Sequence, residues 1–171
     1  DPTVDWGQYD AAILRSPWNY IQALPEFLAW LRRIDQATTL LNPLSIVEPN
    51  VDKKYLLDWE AGGVPIVPTI LRHDADDFGP WPEFVMKPAV SAGSVHTYRM
   101  TQGDPLCATK AEQILRQSPL LIQPYVPSVS AGGEMSLVFQ DGSLTHTLVK
   151  AARFHGELDN VTEGPPATPE Q

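Results

Sequence analysis

The stretch Phe84–Ser94, FVMKPAVSAGS, joins a lysine at the end of an apolar run to a loop of small residues. The apolar run favours a buried strand, because aromatic and β-branched residues pack well on a pleated surface. Lys87 ends this run, and an ammonium group needs a polar partner when it is buried. Gly93 and its small neighbours let backbone N–H groups approach a ligand closely. A cation beside accessible amides is typical of a phosphate site.

The same stretch has a simpler interpretation, in which no ligand is involved. A lysine at a strand end can cap a turn in solvent, and small residues can form an ordinary connection between two strands. Phosphate recognition requires a positioned cation, whereas a turn does not. We therefore expect Lys87 to contact phosphate. We also expect the loop at residues 91–94 to be held by few contacts and to close over its ligand.

Composition places the chain among globular proteins. Its 171 residues are 43% hydrophobic and 19% charged, which suffices for one core or two small ones. The net charge of −9 disfavours nucleic acid as a partner, although a few local lysines could still bind a nucleotide. A single cysteine, Cys107, excludes a disulfide framework and a cysteine metal cluster. Because no apolar run reaches the length of a membrane span, we expect no membrane association and, by default, a cytoplasmic protein.

The first part of the chain is predicted to end a parallel α/β domain. Residues 9–16 (YDAAILRS) favour a buried strand, residues 23–37 a helix, and residues 38–43 (TTLLNP) a second strand. This order is typical of a parallel sheet. A helix is predicted from about Asp52 to Glu60, because Gly62 and Gly63 form a good C-terminal signal. Residues 64–69 (VPIVPT) follow as an edge-type strand, given their two prolines.

The second part is richer in predicted strands. After an acidic loop at residues 72–82, strands are predicted at 84–88 and 95–100, and a helix at 108–117. Three more strands are predicted at 119–126, 133–140 and 142–150, and Asp141-Gly142 indicates a hairpin between the last two. The acidic loop contains His73, Asp74, Asp76 and Asp77, but without a rigid frame it favours a solvated loop over a metal site. Residues from 155 onward are proline-rich and are predicted to be loop or disordered.

The order of these pieces resembles the ATP-grasp superfamily of carboxylate ligases, to which glutathione synthetase belongs. The pieces are Asp52-Lys53, GVPIVPT, FVMKP with its small-residue loop, LLIQPYV, and GEMSLVF with a hairpin. They cover residues from about 50 to 150. The stretch LRSPWNY at residues 14–20, with LLNP further on, is similar to the branch that contains the cycloserine-forming cyclo-ligase.

The resemblance implies an α+β fold in which two subdomains grip ATP after a smaller α/β domain. Residues 1–45 would end that preceding domain, and residues 46–70 would form a linker helix and edge strand. Residues 71–118 would form the first ATP-grasp subdomain, and residues 119–171 the start of the second, with a disordered tail. The implied chemistry depends on ATP and Mg²⁺. It activates a carboxylate of a small amino-acid-like substrate as an acyl phosphate, which a nucleophile then attacks.

The resemblance also assigns roles to individual residues. Lys87 would contact the nucleotide phosphates, and Lys53 would reach the ATP site from the linker helix. The other nucleotide-binding assignments are the loop Ser91, Ala92, Gly93 and Ser94, the adenine-lining Gln123, Tyr125 and Val126, and Glu134 near the ribose or phosphates. Lys150 and Arg153 are assigned to the γ-phosphate and acyl phosphate as catalytic cations. Independently of the resemblance, Arg15, Trp18 and Asn19 follow the first predicted strand at its carboxyl end, where open α/β sheets place ligands, and we assign them to the substrate.

Several assignments keep a structural alternative. Lys53 lies beside Lys54, as lysines do on ordinary helix surfaces, and Glu134 could be a solvated carboxylate at a hairpin edge. Trp18 could be a packing residue at the start of a helix. The sequence also departs from a common family pattern, because Leu158-Asp159 stands where relatives often have Phe-Arg. This change of sign puts a catalytic role of the tail in doubt.

No metal ligand is assigned. The family holds magnesium with an aspartate, a glutamate and an asparagine on later strands, whereas the candidates here lie in an aperiodic stretch, namely Glu157, Asp159, Asn160, Glu163 and Glu170. Because the chain also begins at Asp1 without methionine, we expect a fragment whose metal-binding strands follow Gln171. The alternative is a non-catalytic nucleotide-binding or scaffold domain. A small β-rich interaction module would leave Phe84–Ser94 unexplained, and a homo-oligomer is compatible with the sequence.

Overall fold

The computed structural model describes residues 3–15, 17 and 19–150 as a mixture of short helices and three small sheets. The α-helices are α1 Leu24–Ala37, α2 Leu44–Asn50, α3 Tyr55–Ala61, α4 Leu106–Leu115 and α5 Pro127–Gly132. The strands are β1 Ala11–Ile13, β2 Thr39–Leu41, β3 Ile70–Arg72, β4 Glu83–Pro88, β5 Tyr98–Thr101, β6 Leu120–Pro124, β7 Glu134–Gln140 and β8 Ser143–Lys150. None of the helices in the described ranges has the length and apolar character needed to cross a bilayer.

The chain divides into two compact units. The first consists of the residues up to Ile66 together with Ala89–Gly93, and the second consists of Val67–Pro88 and the residues from Ser94 onward. Each unit has its own hydrophobic core. The division at residues 45, 70 and 118 that the resemblance implies stays a prediction.

The first unit is built on a parallel strand pair joined by a helix. Strand β1 pairs with β2 in parallel, with Ala12 opposite Leu40, which confirms the predicted strand, helix and strand. Helix α1 begins with a proline in its first turn, where a missing N–H is harmless. Its apolar residues recur at helical spacing, so that Leu31 and Ile34 are fully buried against the sheet residues.

The predicted strand at residues 9–16 was too long and only partly buried. Strand β1 covers Ala11–Ile13, and of these residues only Ala12 is buried, while Ile13 is 71% exposed. Successive side chains of a strand point to opposite faces, and the core of this unit lies on the face that carries Ala12. The apolar run within residues 9–16 therefore does not form a strand that is buried on both faces.

Two features of the linker region differ from the prediction. Helix α2 was not predicted, because Pro43 and Pro49 favour a loop, yet its Leu44 and Val47 pack against the core of the first unit. Helix α3 begins at Tyr55 rather than near Asp52. It ends as predicted, with Gly62 at the C-cap and the following glycine at a φ of 83°.

The second unit contains a four-stranded antiparallel sheet in the order β3-β6-β4-β5. The residues of β4 alternate between half-buried and buried. Its Phe84 and Met86 join Ile122 and residues of α4 in the core. Burial of side chains of this size stabilises the fold by about 1.5–3 kcal/mol each. The predicted strand of FVMKP and the predicted helix after it are confirmed.

The predicted edge strand VPIVPT at residues 64–69 was wrong in its position. These residues form no strand, and β3 begins at Ile70 instead, at the edge of the sheet beside β6. Pro65 and Pro68 have no N–H to donate to a neighbouring strand, which delays pairing until the second proline has passed. Strand β5 is likewise shorter than predicted, because Val95 and His96 lie in a turn.

The last sheet is the hairpin of β7 and β8, which confirms the prediction from Asp141-Gly142. Asp141 and Gly142 have φ values of 49° and 77°, as a two-residue turn between right-twisted strands requires. Helix α5, which precedes the hairpin, was not predicted. Between α5 and β7, Gly133 has a φ of 77°, and a Cβ there would lie 2.1 Å from the carbonyl oxygen of Lys150. Only glycine fits this junction without a backbone shift.

Candidate functional site

One face of the four-stranded sheet, called the polar face below, carries Lys87, Gln123 and Arg99 beside the apolar Val85 and Leu121, while the opposite face packs against α4. Strand alternation places Val85 and Lys87 on the face away from Phe84 and Met86. Val85 lies opposite Gln123 on one neighbouring strand and opposite Arg99 on the other. The polar face therefore brings together residues that are distant in the sequence.

Lys87, Gln123 and Thr69 form a continuous row of hydrogen bonds on this face. The Lys87 ammonium donates to Gln123 Oε1 at 2.8 Å. Gln123 Nε2 donates to Thr69 Oγ1 at 2.9 Å, and the Thr69 hydroxyl donates to the carbonyl oxygen of Val67 at 2.7 Å. Lys87 is thus a half-buried, fixed cation and not the exposed turn cap of the simpler interpretation.

The charge of Lys87 is only partly compensated. Burial lowers the pKa of Lys87, and the more distant carboxylate of Glu134 acts in the opposite direction. Within residues 3–150, as far as they are described, Lys87 forms no ion pair. A cation that contacts a neutral amide retains its attraction for an anion.

Arg99 stacks on the predicted adenine-lining residue Tyr125. Its guanidinium lies 3.7 Å from the centre of the Tyr125 ring and donates to Glu83 at 2.8 Å. The Tyr125 hydroxyl is hydrogen-bonded to Ser130 on α5. One face of the Tyr125 ring is therefore covered by a cation. Val126, assigned to the same surface, is the N-cap of α5 and is half-buried.

The assigned residues of the hairpin contact one another. Glu134 begins β7 and Lys150 ends β8, and the two are paired in register with their charged atoms 3.4 Å apart. Both side chains are more than half exposed, so this pair contributes at most about 1 kcal/mol. The catalytic assignment of Lys150 stays a prediction, and Arg153 lies outside the described residues.

In the first unit, Lys53 is bonded to the predicted phosphate loop. Its ammonium donates to the carbonyl oxygen of Ser91 at 2.8 Å and to the Ser91 hydroxyl at 2.9 Å. A third contact reaches the carbonyl oxygen of Ala89 at 3.4 Å, and the backbone N–H of Lys53 donates to the same oxygen at 2.9 Å. The expectation that little holds this loop is therefore wrong at Ser91.

The loop backbone itself has an unusual conformation. Gly93, Ser94 and His96 have φ values of 67°, 65° and 53°, in the left-handed region that side-chain-bearing residues rarely adopt. The His96 ring lies 3.2 Å from the hydroxyl of the buried Tyr98, so His96 has a structural contact. Backbone strain of this kind is often found where a chain binds a ligand.

A cavity of about 340 Å³ lies in the first unit and contains one residue assigned to the substrate. Its polar lining comes from Arg15, Tyr20, Asn42 and Asn50, and its apolar lining includes Phe27, Ile46, Val47 and Val51. Ala92 of the predicted phosphate loop also lines it. Asn19 is exposed and does not line the cavity, and Trp18 lies outside the described residues.

Comparisons with known proteins agree with this architecture. The N-terminal domain family of D-cycloserine synthetase DcsG matches residues 1–42. The cycloserine biosynthesis protein DcsG of Streptomyces lavendulae is 35% identical over 165 residues, which are 89% of this chain and 55% of that protein. The crystal structure of D-cycloserine synthetase DcsG matches with a TM-score of 0.78 and 32% identity, over 90% of this chain and 56% of the other. The chain is similar to DcsG over most of its length.

The predicted ATP-grasp fold and the resemblance to the cycloserine-forming branch are thereby confirmed. A RimK domain ATP-grasp protein from Sphaerobacter thermophilus shares the fold, with a TM-score of 0.62 at 15% identity over 86% of this chain and 58% of that one. The chain spans about half the length of DcsG, at 55% of the curated protein and 56% of the crystallised one.

The described part of the chain lacks a cluster of side chains that could hold a metal ion by themselves. Among its described residues, no group of three or more His, Cys, Asp or Glu side chains could hold a metal. In the acidic loop, Asp77 instead pairs with Arg72 and accepts a hydrogen bond from the N–H of Gly79. These contacts lower the pKa of Asp77. The predicted solvated acidic loop is consistent with this arrangement.

Two residues of the polar face were missed in the sequence. Thr69 precedes β3, and its position beside Gln123 depends on where pairing begins after two prolines. Arg99 alternates with the buried Tyr98 and Met100. This apolar and polar alternation in the sequence already indicates that Arg99 lies on the opposite face of the strand.

Proposed function

We propose that the chain is part of an ATP-dependent ligase that activates the carboxylate of a small amino-acid-like substrate. The observation that carries this proposal is the half-buried Lys87 ammonium, which is held by a neutral amide on the polar face of the sheet. The ATP-grasp fold and the similarity to DcsG support the same class of reaction. Because the chain spans about half of DcsG, the activity is a property of the whole protein.

On the nucleotide side, Lys87 would hold the phosphates of ATP. The charge of its ammonium is not cancelled by a contacting carboxylate, and a charge-assisted hydrogen bond to phosphate is about twice as strong as a neutral one. The resemblance assigns the loop at residues 91–94 to the phosphates as well, and Gly93 and Ser94 of this loop have left-handed φ values of 67° and 65°. The Lys53 contact with Ser91 would set the position from which this loop closes.

On the substrate side, the cavity of the first unit would hold a small carboxylate. Its volume of about 340 Å³ is at the lower end of the range of small-molecule sites. Arg15 would bind the carboxylate through its planar guanidinium, which matches two carboxylate oxygens. Asn42 is fixed by donating to the carbonyl oxygen of Leu14 at 2.7 Å, so its remaining carbonyl oxygen is available to an amino group.

The chemical step follows from the class of reaction. ATP supplies the γ-phosphoryl group: a substrate carboxylate oxygen forms a bond to the γ-phosphorus as the bond to the bridging oxygen breaks, and ADP leaves. A nitrogen nucleophile of the substrate or of a second molecule then displaces phosphate, which closes a ring or forms an amide. The residues of the proposed site contribute binding and charge stabilisation of the transferred group. No step is assigned to a metal ion.

The proposal is tested by ATP binding to wild-type protein and to Lys87→Ala. Loss of one charge-assisted bond is worth about 1.5–3 kcal/mol, so affinity measured by calorimetry should fall by about 10- to 150-fold. Lys110→Ala is the matched control, because Lys110 lies over the Tyr98 ring on the α4 side of the sheet. It removes the same charge and should leave affinity within about twofold.

Two outcomes would contradict the proposal. If Lys87→Ala and the control bind ATP equally, Lys87 is not the phosphate contact. If the full-length protein binds ATP but releases no phosphate with any of a panel of small amino acids, the chain is a nucleotide-binding or scaffold domain. Phosphate release that depends on one amino acid and on Lys87 supports the ligase.

A further inference from the structure

The hydrogen-bonded row of Thr69, Gln123 and Lys87 crosses three neighbouring strands. Ile70 pairs with Ile122, which places Thr69 beside Gln123 on the adjacent strand. Val85 pairs with Gln123, which places Lys87 one diagonal step further on the same face. Diagonal neighbours on a sheet are within reach of long side chains. The row therefore follows from the strand register.

Every hydrogen bond in the row has a defined direction. A lysine ammonium can only donate, so it must face the carbonyl oxygen of the Gln123 amide and not its NH₂ group. The NH₂ group then faces Thr69, whose hydroxyl oxygen accepts. The Thr69 hydroxyl hydrogen is used in turn on the carbonyl oxygen of Val67. No member of the row can reverse without losing a bond.

We propose that Gln123 and Thr69 are positioning residues that fix the Lys87 ammonium for its ligand without neutralising it. This inference rests on the proposed function, in which Lys87 binds the phosphates of a nucleotide. It assigns Gln123 a role through Lys87, in place of the adenine-lining role that the resemblance implies. Thr69 selects the orientation of the Gln123 amide.

An amide serves this purpose where a carboxylate does not. A glutamate at position 123 would also accept from Lys87, but it would form an ion pair whose charges cancel, so a phosphate would gain less from binding. It would also present no N–H to Thr69, and two acceptor oxygens would face each other unless the hydroxyl turned away from Val67. The row thus explains the residue type at 123 and not only its position.

The test uses Gln123→Glu, with Thr69→Val as an independent variant and Thr69→Ser as its conservative control. The first readout is the pKa of the Lys87 ammonium, measured by NMR of labelled lysine in the nucleotide-free protein. The second is ATP affinity by calorimetry, with Lys87→Ala as reference. Circular dichroism confirms that each variant is folded.

We expect Gln123→Glu to raise the pKa of Lys87 and to weaken ATP binding by about tenfold or more, as the loss of one charge-assisted interaction implies. Thr69→Val should weaken it by about 2- to 10-fold, the equivalent of one neutral hydrogen bond. Thr69→Ser keeps the hydroxyl and should restore wild-type affinity. A purely structural role of the row would leave the ATP affinity of the folded Gln123→Glu and Thr69→Val variants at the wild-type value.

The inference is overturned if Lys87 is needed for ATP binding while Gln123→Glu changes neither its pKa nor the affinity, or if Thr69→Val binds ATP as well as wild type. Failure of the proposed function has a different signature. In that case Lys87→Ala binds ATP like wild type, while Gln123→Glu still raises the pKa of Lys87.

Discussion

Replacement of Lys53 by Met tests whether this side chain anchors the loop at residues 91–94. The variant keeps the length of the side chain and removes the two short bonds from the ammonium to Ser91, at 2.8 and 2.9 Å. The backbone bond from residue 53 to Ala89 does not depend on the side chain and remains. Because the donor is charged and half-buried, we expect the loss of these two hydrogen bonds to cost about 2 kcal/mol. If the free energy of local opening falls by this amount, amide exchange becomes about 30-fold faster.

The assay is hydrogen exchange of residues 90–94 in the nucleotide-free protein, compared with residues 84–86 of β4. Lys54→Met is the matched control, since Lys54 is 63% exposed and lies 3.9 Å from Asp52. An exposed pair of this kind contributes about 0–1 kcal/mol, so the control should change exchange by less than about fivefold. Equal exchange in the two variants would refute the reasoning. Exchange in β4 should not respond to either variant.

Two further predictions concern the base of the hairpin. Gly133→Ala should lower the melting temperature far more than Gly142→Ala. Both glycines have a φ of 77°, but a Cβ at Gly133 would meet the carbonyl oxygen of Lys150, whereas a Cβ at Gly142 would face open space. Equal melting temperatures of the two variants would contradict this prediction. Glu134→Gln should shift the loss of ATP affinity at alkaline pH to lower pH. Lys87 is expected to bind phosphate only when it is protonated; burial lowers its pKa, and Glu134 raises it. The measurement is calorimetry between about pH 7.5 and 10.5, a range that brackets an ordinary lysine pKa. An unshifted pH profile would exclude an electrostatic effect of Glu134 on Lys87.

Elements with a strong local signal were predictable from the sequence. Helix α1 has apolar residues at helical spacing. The turn at Asp141-Gly142 requires two residues with positive φ, and Asp-Gly is a pair that favours this conformation. Helix α2 and strand β3 were not predictable in the same way, because prolines in and before them weaken the local signal. Leu44 of α2 is held by tertiary packing, and such packing overrides propensity.

The candidate site was predictable as a set of residue types but not as a set of contacts. The resemblance named Lys87, Gln123, Lys53 and Ser91, and the structure joins them as two pairs, at 2.8 Å in each case. These partners are 36 and 38 residues apart in the sequence. Their pairing depends on register and loop path, which no local pattern specifies.

The basic side chains of this acidic protein differ in whether their partner is a carboxylate or a neutral group. Five basic side chains contact carboxylates in the described ranges, namely Arg32, Lys54, Arg72, Arg99 and Lys150. Lys87 instead donates to the amide oxygen of Gln123. A neutral acceptor fixes the position of an ammonium group but leaves its charge in place, whereas a carboxylate removes most of its field.

This difference matters because the chain carries 21 acidic residues against 12 basic ones. A polyanion such as ATP is repelled by the average surface, so its binding depends on local cations that the acidic residues do not neutralise. Lys87 meets that condition, because its hydrogen-bond partner is the neutral amide of Gln123. Lys150 is paired with Glu134, so it could act on a phosphoryl group only after this exposed pair separates, at a cost of at most about 1 kcal/mol. If Lys87 binds the nucleotide as we propose, its ammonium attracts the phosphates before the reaction, whereas Lys150 would act only when its pair with Glu134 has separated.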